Sequence, residues 1–206
     1  MNMKLFDEPS DPNVNLLPFD GEVYYYGKIF PQTESLELFR QLMTTISWQN
    51  DESFLYGKHY VTKRKVAWFA QQNASYTYSG KTHYAEIWDP FLLEIKQRVE
   101  NYTKQSYNAC LLNLYHSGEE GMGMHQDSEK ELMAGGSIAS LSFGAERKFV
   151  FKHLETKEKV ELLLEDGSLL EMKGMTQSCW QHGLPVSKKI LQPRINLTFR
   201  QMKWKG

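Results

Sequence analysis

The sequence predicts an α+β fold that is mainly β: a jelly roll of antiparallel strands with two helices packed outside it. Beyond Gln105 the chain breaks into short apolar runs punctuated by turns, the spacing of a sandwich or jelly roll. Two earlier segments repeat apolar residues at helical intervals. The 206 residues suffice for one domain with a sizeable core, and 41% hydrophobic against 24% charged residues is an ordinary globular balance.

Residues 1–30, rich in Asp, Pro and Asn, are expected to form a surface extension closed by a short strand at Val23-Tyr24-Tyr25-Tyr26. From Thr33, Leu36, Phe39, Leu42, Met43 and Ile46 recur at helical spacing, with Thr33 able to cap the first turn. Residues 54–80 are rich in Tyr, Lys and Gln and look too polar for core, while the alternation in Ser75-Tyr76-Thr77-Tyr78 suits a hairpin or edge strand. A second helix has better start signals: Asp89 as N-cap, Pro90 at the first helical position, then Leu92, Ile95 and Val99 on one face. Strands are expected at 109–115, 137–143, 148–152, 160–164, 168–172, 178–180 and 195–199. Helices first and strands after place the helices outside a β core spanning 106–200.

No apolar run approaches the roughly 20 residues that span a bilayer, and the N-terminus lacks an apolar signal core, so a cytoplasmic, monomeric protein is expected. Cys110 and Cys179 are far apart and form neither a disulfide scaffold nor a zinc pattern. A net charge of −1 excludes a globally basic nucleic-acid binder. Contact with phosphate would rest on local patches: Lys58 with Lys63-Arg64-Lys65, Arg147-Lys148 with Lys152, Lys188-Lys189, and the tail lysines 203 and 205.

Against this background stand His125 and Asp127 in Met124-His125-Gln126-Asp127, and the distant His182. Two histidines and a carboxylate are the ligand set of a facial triad, which holds Fe(II) on one side and leaves positions open for a cosubstrate and oxygen. Alternate residues of an extended segment project to one side, so His125 and Asp127 can chelate one ion together. By itself that spacing is also common on surfaces. Downstream, Ile195, Leu197 and Phe199 alternate strictly with Arg194, Asn196, Thr198 and Arg200. Either the polar face of this strand meets solvent, or it lines a cavity. In a cavity the two arginines, with Cα atoms roughly 20 Å apart, would share a short dicarboxylate, which the rigid guanidinium fork pairs with bidentately.

The ordered set His125-x-Asp127, His182, Arg194 and Arg200, with Asn113-Leu114-Tyr115 upstream, resembles the AlkB family of Fe(II)- and 2-oxoglutarate-dependent dioxygenases. The similarity covers residues 54–200. It is strongest to the branch containing the eukaryotic duplex-DNA repair enzymes, through 137–144 (SIASLSFG), Phe149-Val150-Phe151 and 193–200 (PRINLTFR). The resemblance implies a double-stranded β-helix fold with a nucleotide-recognition lid at 50–85, in one catalytic domain. It assigns His125, Asp127 and His182 to iron, Arg194 to the distal carboxylate of 2-oxoglutarate, and Arg200 to the carboxylate beside the keto group. Asn113, Tyr115 and Asn196 would add hydrogen bonds to the same cosubstrate.

The implied reaction consumes O2 and 2-oxoglutarate, gives succinate and carbon dioxide, and hydroxylates a methyl group on a base nitrogen so that formaldehyde is lost. Enzymes that act on a base edge take the base out of the stack. By resemblance, Tyr56 in Tyr56-Gly57-Lys58 occupies the place of an intercalating aromatic, Tyr78 would stack on the flipped base opposite His125, and Tyr76 would make a polar contact nearby. Glu129 resembles an acid that reads an exocyclic amine, which suits adenine or cytosine. Arg64 matches an arginine of the lid, but Lys63 replaces the usual preceding proline, and Ala67-Trp68-Phe69-Ala70 departs from the usual Thr-Tyr-Gly-Asp. The partner expected is therefore alkylated DNA. Two other readings remain open: the same chemistry on RNA, protein or lipid, and a nucleic-acid-binding module without catalysis, against which every metal and arginine position is filled.

Overall fold

The computed structural model describes residues 11–55, 58–71, 75–78 and 81–204, apart from the side chains of 53–55, 58–60, 75–78 and 81–83. Tyr56, aligned with an intercalating aromatic, and Gly57 beside it lie outside the described residues. The chain is mainly β, with antiparallel sheets. In order it runs β1 (Glu22–Lys28), α1 (Gln32–Thr45), β2 (Gln49–Leu55), β3 (Lys58–Ala70), β4 (Ser75–Tyr78), β5 (Lys81–Tyr84), β6 (Glu86–Ile87) and α2 (Pro90–Thr103). Then follow β7 (Ala109–Tyr115), β8 (Met122–His125), β9 (Ile138–Gly144), β10 (Arg147–His153), β11 (Lys159–Leu164), β12 (Ser168–Lys173), α3 (Thr176–Cys179), β13 (Trp180–Leu184) and β14 (Arg194–Arg200).

The large sheet has the order β1-β12-β9-β14-β7-β3-β2, with β6 added in parallel to β3; the second sheet is β11-β10-β13-β8, and β4 pairs only with β5. Phe149, Phe151, Leu162 and Trp180 of the small sheet pack with Ile138, Leu170 and Met172 of the large one. On the other face of the large sheet, Leu42 of α1 and Leu92, Ile95 and Val99 of α2 pack with Leu112, Leu141, Ile195, Leu197 and Phe199. Two facing antiparallel sheets are what the strand spacing predicts. Among the described residues no helix is long and apolar enough to cross a membrane.

Asp89 caps α2 as expected, accepting the Leu92 N–H at 2.7 Å with Pro90 behind it. Other expectations need correction. Thr33 does not cap α1, which begins at Gln32 behind Pro31; with φ −58° and ψ 152° Pro31 stands just outside the helix as its N-cap residue, and its carbonyl accepts the Ser35 N–H. The buried stripe of α1 is rotated from the expected one, with Leu36 and Met43 exposed. Ser35 is buried instead, because its hydroxyl donates to Asp166, which also accepts Gly144 N–H. Residues 22–28 are not a leader on the surface: β1 is an edge strand of the large sheet, with Val23 in the core.

The segment judged too polar for core contains β3, which lies between β2 and β7, with residues 66–70 buried. Its polar first half masked an apolar second half that completes the sheet. Among the described residues five strands therefore stand between α1 and α2, rather than helices first and strands after. The expected strand at 178–180 is the end of α3, and β13 begins at Trp180 and carries His182. Asp89→Ala should cost about 1 kcal/mol of stability in urea unfolding, without changing metal binding, because the cap lies on the far side of the large sheet.

Candidate active site

β8 and β13 pair with His125 directly opposite His182. Opposed residues in an antiparallel pair project to one face, and here the two imidazole centroids are 4.4 Å apart. Asp127 follows two residues after His125, and one ligand-capable atom from each of the three residues lies within 4.8 Å of the others. The short α3 holds the Asp127 side. Gln177 Oε1 accepts the Asp127 N–H at 2.9 Å, and the Gln177 carbonyl accepts the Gln126 amide at 2.6 Å. At Gly183 an added Cβ would lie 2.8 Å from Met124 Sδ and 3.1 Å from the Met122 carbonyl, so glycine lets β13 lie close to β8 beside His182.

His125 Nδ1 is 2.9 Å from the Gly123 carbonyl. A carbonyl only accepts, so Nδ1 carries the proton and Nε2, 3.8 Å from Asp127 Oδ1, presents a lone pair. His182 is 4% exposed, and burial pulls its pKa down to about 4 in spite of Asp127, which keeps it neutral. Its Nδ1 is buried without a hydrogen-bond partner. Burial alone would raise the Asp127 carboxyl, but the Arg200 guanidinium beside it outweighs that and holds the group below its ordinary range. Neutral imidazole and ionised carboxylate are the states in which such groups ligate a divalent ion, and His182 and Asp127 already hold them.

β14 supplies the rest. It pairs on one side with β7 and on the other with β9, setting Arg194 opposite Tyr115 and Asn196 between Asn113 and Ser142. Since Ile195, Leu197 and Phe199 enter the helix-facing core, the polar row lines the cavity between the sheets, which settles the two readings left open for this strand. Arg194 is 2% exposed and donates from Nη2 to Ser142 Oγ at 2.9 Å and Asn196 Oδ1 at 2.8 Å, with its Nε buried and unpartnered. Burial lowers its pKa to about 10. Among the described residues no carboxylate pairs with it. Asn113 Oδ1 is likewise buried without a partner. A desolvated cation without a counter-charge is costly until an anion reaches it. Arg200, at the triad end, instead bridges two carboxylates: Nη2 donates to Asp127 Oδ1 at 2.9 Å and Nη1 lies 3.6 Å from Glu129 Oε1.

Residues 22–200 match the 2OG-Fe(II) oxygenase superfamily. The chain belongs to this superfamily. It is 38% identical over 188 residues to the DNA oxidative demethylase ALKBH2 of Homo sapiens, covering 86% of this chain and 72% of that one. The Mus musculus protein of that name is 37% identical over 93% of this chain and 84% of its own. The alpha-ketoglutarate-dependent dioxygenase alkB homolog 3 of Bos taurus is 36% identical over 81% of this chain and 61% of its own. In fold the chain is similar to the structure of OsALKBH1, with a TM-score of 0.64 at 16% identity, over 87% of this chain and 97% of that one. The protein is thus an Fe(II)- and 2-oxoglutarate-dependent oxygenase, and its buried donor triad and uncompensated arginine fit those two partners.

This oxygenase brings together most of the residues singled out by sequence. His125, Asp127, His182, Asn113, Tyr115, Arg194, Asn196 and Arg200 line one cavity, and Glu129 adjoins it through Arg200. Lys58, Tyr76 and Tyr78 are placed by backbone alone, on β3 and β4. Arg64 turns inward rather than toward solvent, 2.5 Å from Asp51 Oδ2 and with its guanidinium 5.9 Å from the Tyr115 ring. Arg147, counted among the phosphate-facing cations, is 1% exposed and donates to the Glu120 and Pro185 carbonyls at 2.9 Å. It cannot meet a phosphate; an apolar cross-section needed its charge satisfied by loop carbonyls.

Sequence inspection missed Ser140, Ser142 and Gln177. Ser140 and Ser142 alternate with Ala139, Leu141 and Phe143 as the polar row of β14 does, so a signal existed. Gln177 had none, since its part depends on α3 lying against the chain that follows β8. With Mn(II) present, 2-oxoglutarate at a hundredfold excess over Kd should stabilise the parent by about 2.7 kcal/mol, roughly 5–10 °C in Tm. Arg194→Met should lose that shift while its ligand-free Tm stays at or above the parental value, as a differential scanning measurement would show.

Proposed function

We propose that this oxygenase removes alkyl groups from base nitrogens in DNA, with His125, Asp127 and His182 as the iron ligands. The observation that carries the metal and cosubstrate assignment is one cavity with the ionised-carboxylate triad at one end and the uncompensated Arg194 at the other. The DNA assignment is supported by the relatives bearing the name DNA oxidative demethylase, matched over most of this chain. The two facing sheets are read as a double-stranded β-helix, with 106–200 as its core and 50–85 as a nucleotide-recognition lid. The protein would act as a monomer.

Arg194 takes the distal carboxylate of 2-oxoglutarate, where neighbouring hydroxyl and amide oxygens already fix its guanidinium. Arg200 takes the carboxylate beside the keto group and at the same time orients Asp127, so one side chain aligns a metal ligand and the cosubstrate. Asn113, Tyr115 and Asn196 supply further hydrogen bonds. The Gly123 carbonyl fixes the tautomer of His125, as outer partners of metal-bound histidines generally do. When bound, iron, 2-oxoglutarate and O2 supply an oxygen atom to the methyl carbon as succinate and carbon dioxide form, and the hydroxymethyl adduct releases formaldehyde.

The base reaches the site out of the stack. Tyr78 stacks on it opposite His125, Tyr76 makes a polar contact, and Glu129 accepts from the exocyclic amine while attracting a cationic methylated ring. Tyr56 fills the gap left in the duplex, with Gly57 and Lys58 beside it. Arg64 supports this lid from within, through Asp51, instead of touching phosphate.

Iron-loaded protein should release formaldehyde and succinate in equal amounts from 1-methyladenine or 3-methylcytosine oligonucleotides, assayed single-stranded, duplex and as RNA. Consumption of 2-oxoglutarate without formaldehyde from any DNA would overturn the substrate. His125→Ala should abolish turnover, and a parental rate in that variant would overturn the metal assignment.

A further inference from the structure

We infer that the segment 201–204, anchored by Asn108 and Trp204, is a positioning element that sets the substrate side of the site by bracing the loop 128–137. The inference rests on Glu129 being the base-reading group proposed above. This loop joins β8 to β9 and carries Glu129 two residues after Asp127. Its internal backbone bonds are few: Leu132 N–H to the Glu129 carbonyl at 3.0 Å and Gly136 N–H to the Met133 carbonyl at 2.9 Å. Such a loop does not hold a side chain in place by itself.

The segment after β14 supplies what the loop lacks. The Gln201 carbonyl accepts Met133 N–H at 2.8 Å, Lys203 N–H donates to the Glu131 carbonyl at 2.6 Å, and Leu132 and Met202 form a β-bridge. Gln201 Oε1 accepts Ser137 N–H at 3.0 Å, closing the loop at its far end. Leu132 packs with Met202 and Trp204 in a small apolar cluster that also holds Ala109 and Trp68. The ring of Trp204 is 5.8 Å from that of Trp68 on β3. Asn108, just ahead of β7, grips both backbone groups of Met202 with its side-chain amide, each at 2.8 Å.

The brace therefore ties three things together: the start of β7, the end of β3 within the proposed lid segment, and the loop that presents Glu129. The metal triad shares Arg200 of β14 with Glu129 but has its own further supports. Gln177 fixes Asp127, and His125 and His182 sit on paired strands of the other sheet. Loosening the brace should consequently displace Glu129 while leaving the triad and Arg194 in place. A side chain misplaced by about an ångström can cost on the order of a hundredfold, so a partial loosening should be visible in KM.

The test compares Trp204→Ala, Asn108→Ala and Trp204→Phe in the full chain. Trp204→Ala and Asn108→Ala should raise the KM for a 3-methylcytosine oligonucleotide by about tenfold, with substrate-free 2-oxoglutarate consumption and the Mn(II)-dependent stabilisation by 2-oxoglutarate at parental values. Trp204→Phe should restore most of the loss. Amide hydrogen exchange at 130–137 should quicken in Trp204→Ala. Parental KM in both alanine variants, or loss of uncoupled turnover in step with KM, would overturn the inference. Should the parent protein itself fail to demethylate DNA, the functional reading falls, and exchange at 130–137 decides the brace independently: unchanged rates in Trp204→Ala would remove it.

Discussion

A strand buried on both faces must find partners for two unlike rows of side chains, and β14 does this at the centre of the large sheet. Its apolar row meets the helices, and its polar row faces the second sheet. Buried polar groups are tolerated only when their hydrogen bonds are met, so the row is linked internally: Arg194 to Asn196 and Ser142, Asn196 to Ser140 and Thr198, Arg200 to Asp127. Because β7 and β9 flank β14 in fixed register, Tyr115, Asn113 and Ser140 are brought to the same cavity by main-chain pairing alone. Rigid strands thus position the groups that the chemistry requires.

What separates scaffold from site is how each buried arginine is satisfied. Three guanidinium groups lie within 6 Å of the Tyr115 ring, those of Arg64, Arg147 and Arg194. Arg64 has Asp51, and Arg147 is tied to backbone carbonyls of the loops around 118–120 and 185. Arg194 has neutral oxygens only, among the described residues. A carboxylate reaching Arg194 would offset the cost of burying that third charge.

The triad follows the same logic in the other sheet. Cross-strand pairing sets the two histidines, a backbone carbonyl fixes one tautomer, burial keeps the other imidazole neutral, and an arginine shared with the cosubstrate end keeps the aspartate charged. Arg200 is thus the hinge between the two sheets' contributions, since it belongs to β14 yet holds a group that follows β8.

Much of this was legible in the residues themselves. Strict alternation along 194–200, the His-x-Asp spacing, and the Asp89-Pro90 helix start each express a local rule, periodicity or capping, that acts within a few residues. By themselves they marked the two faces of β14, the α2 start and the His, Asp and Arg residues that the fold brings to one cavity. Tertiary structure decided what depends on neighbours distant in the chain. It buried the polar-looking β3 because β7 lay open beside it, turned Arg64 and Arg147 inward because carboxylate and carbonyl partners waited there, and recruited Gln177 and the 201–204 segment. No local pattern encodes these, because the energy that selects them comes from contacts between segments tens of residues apart, formed only when the sheets close.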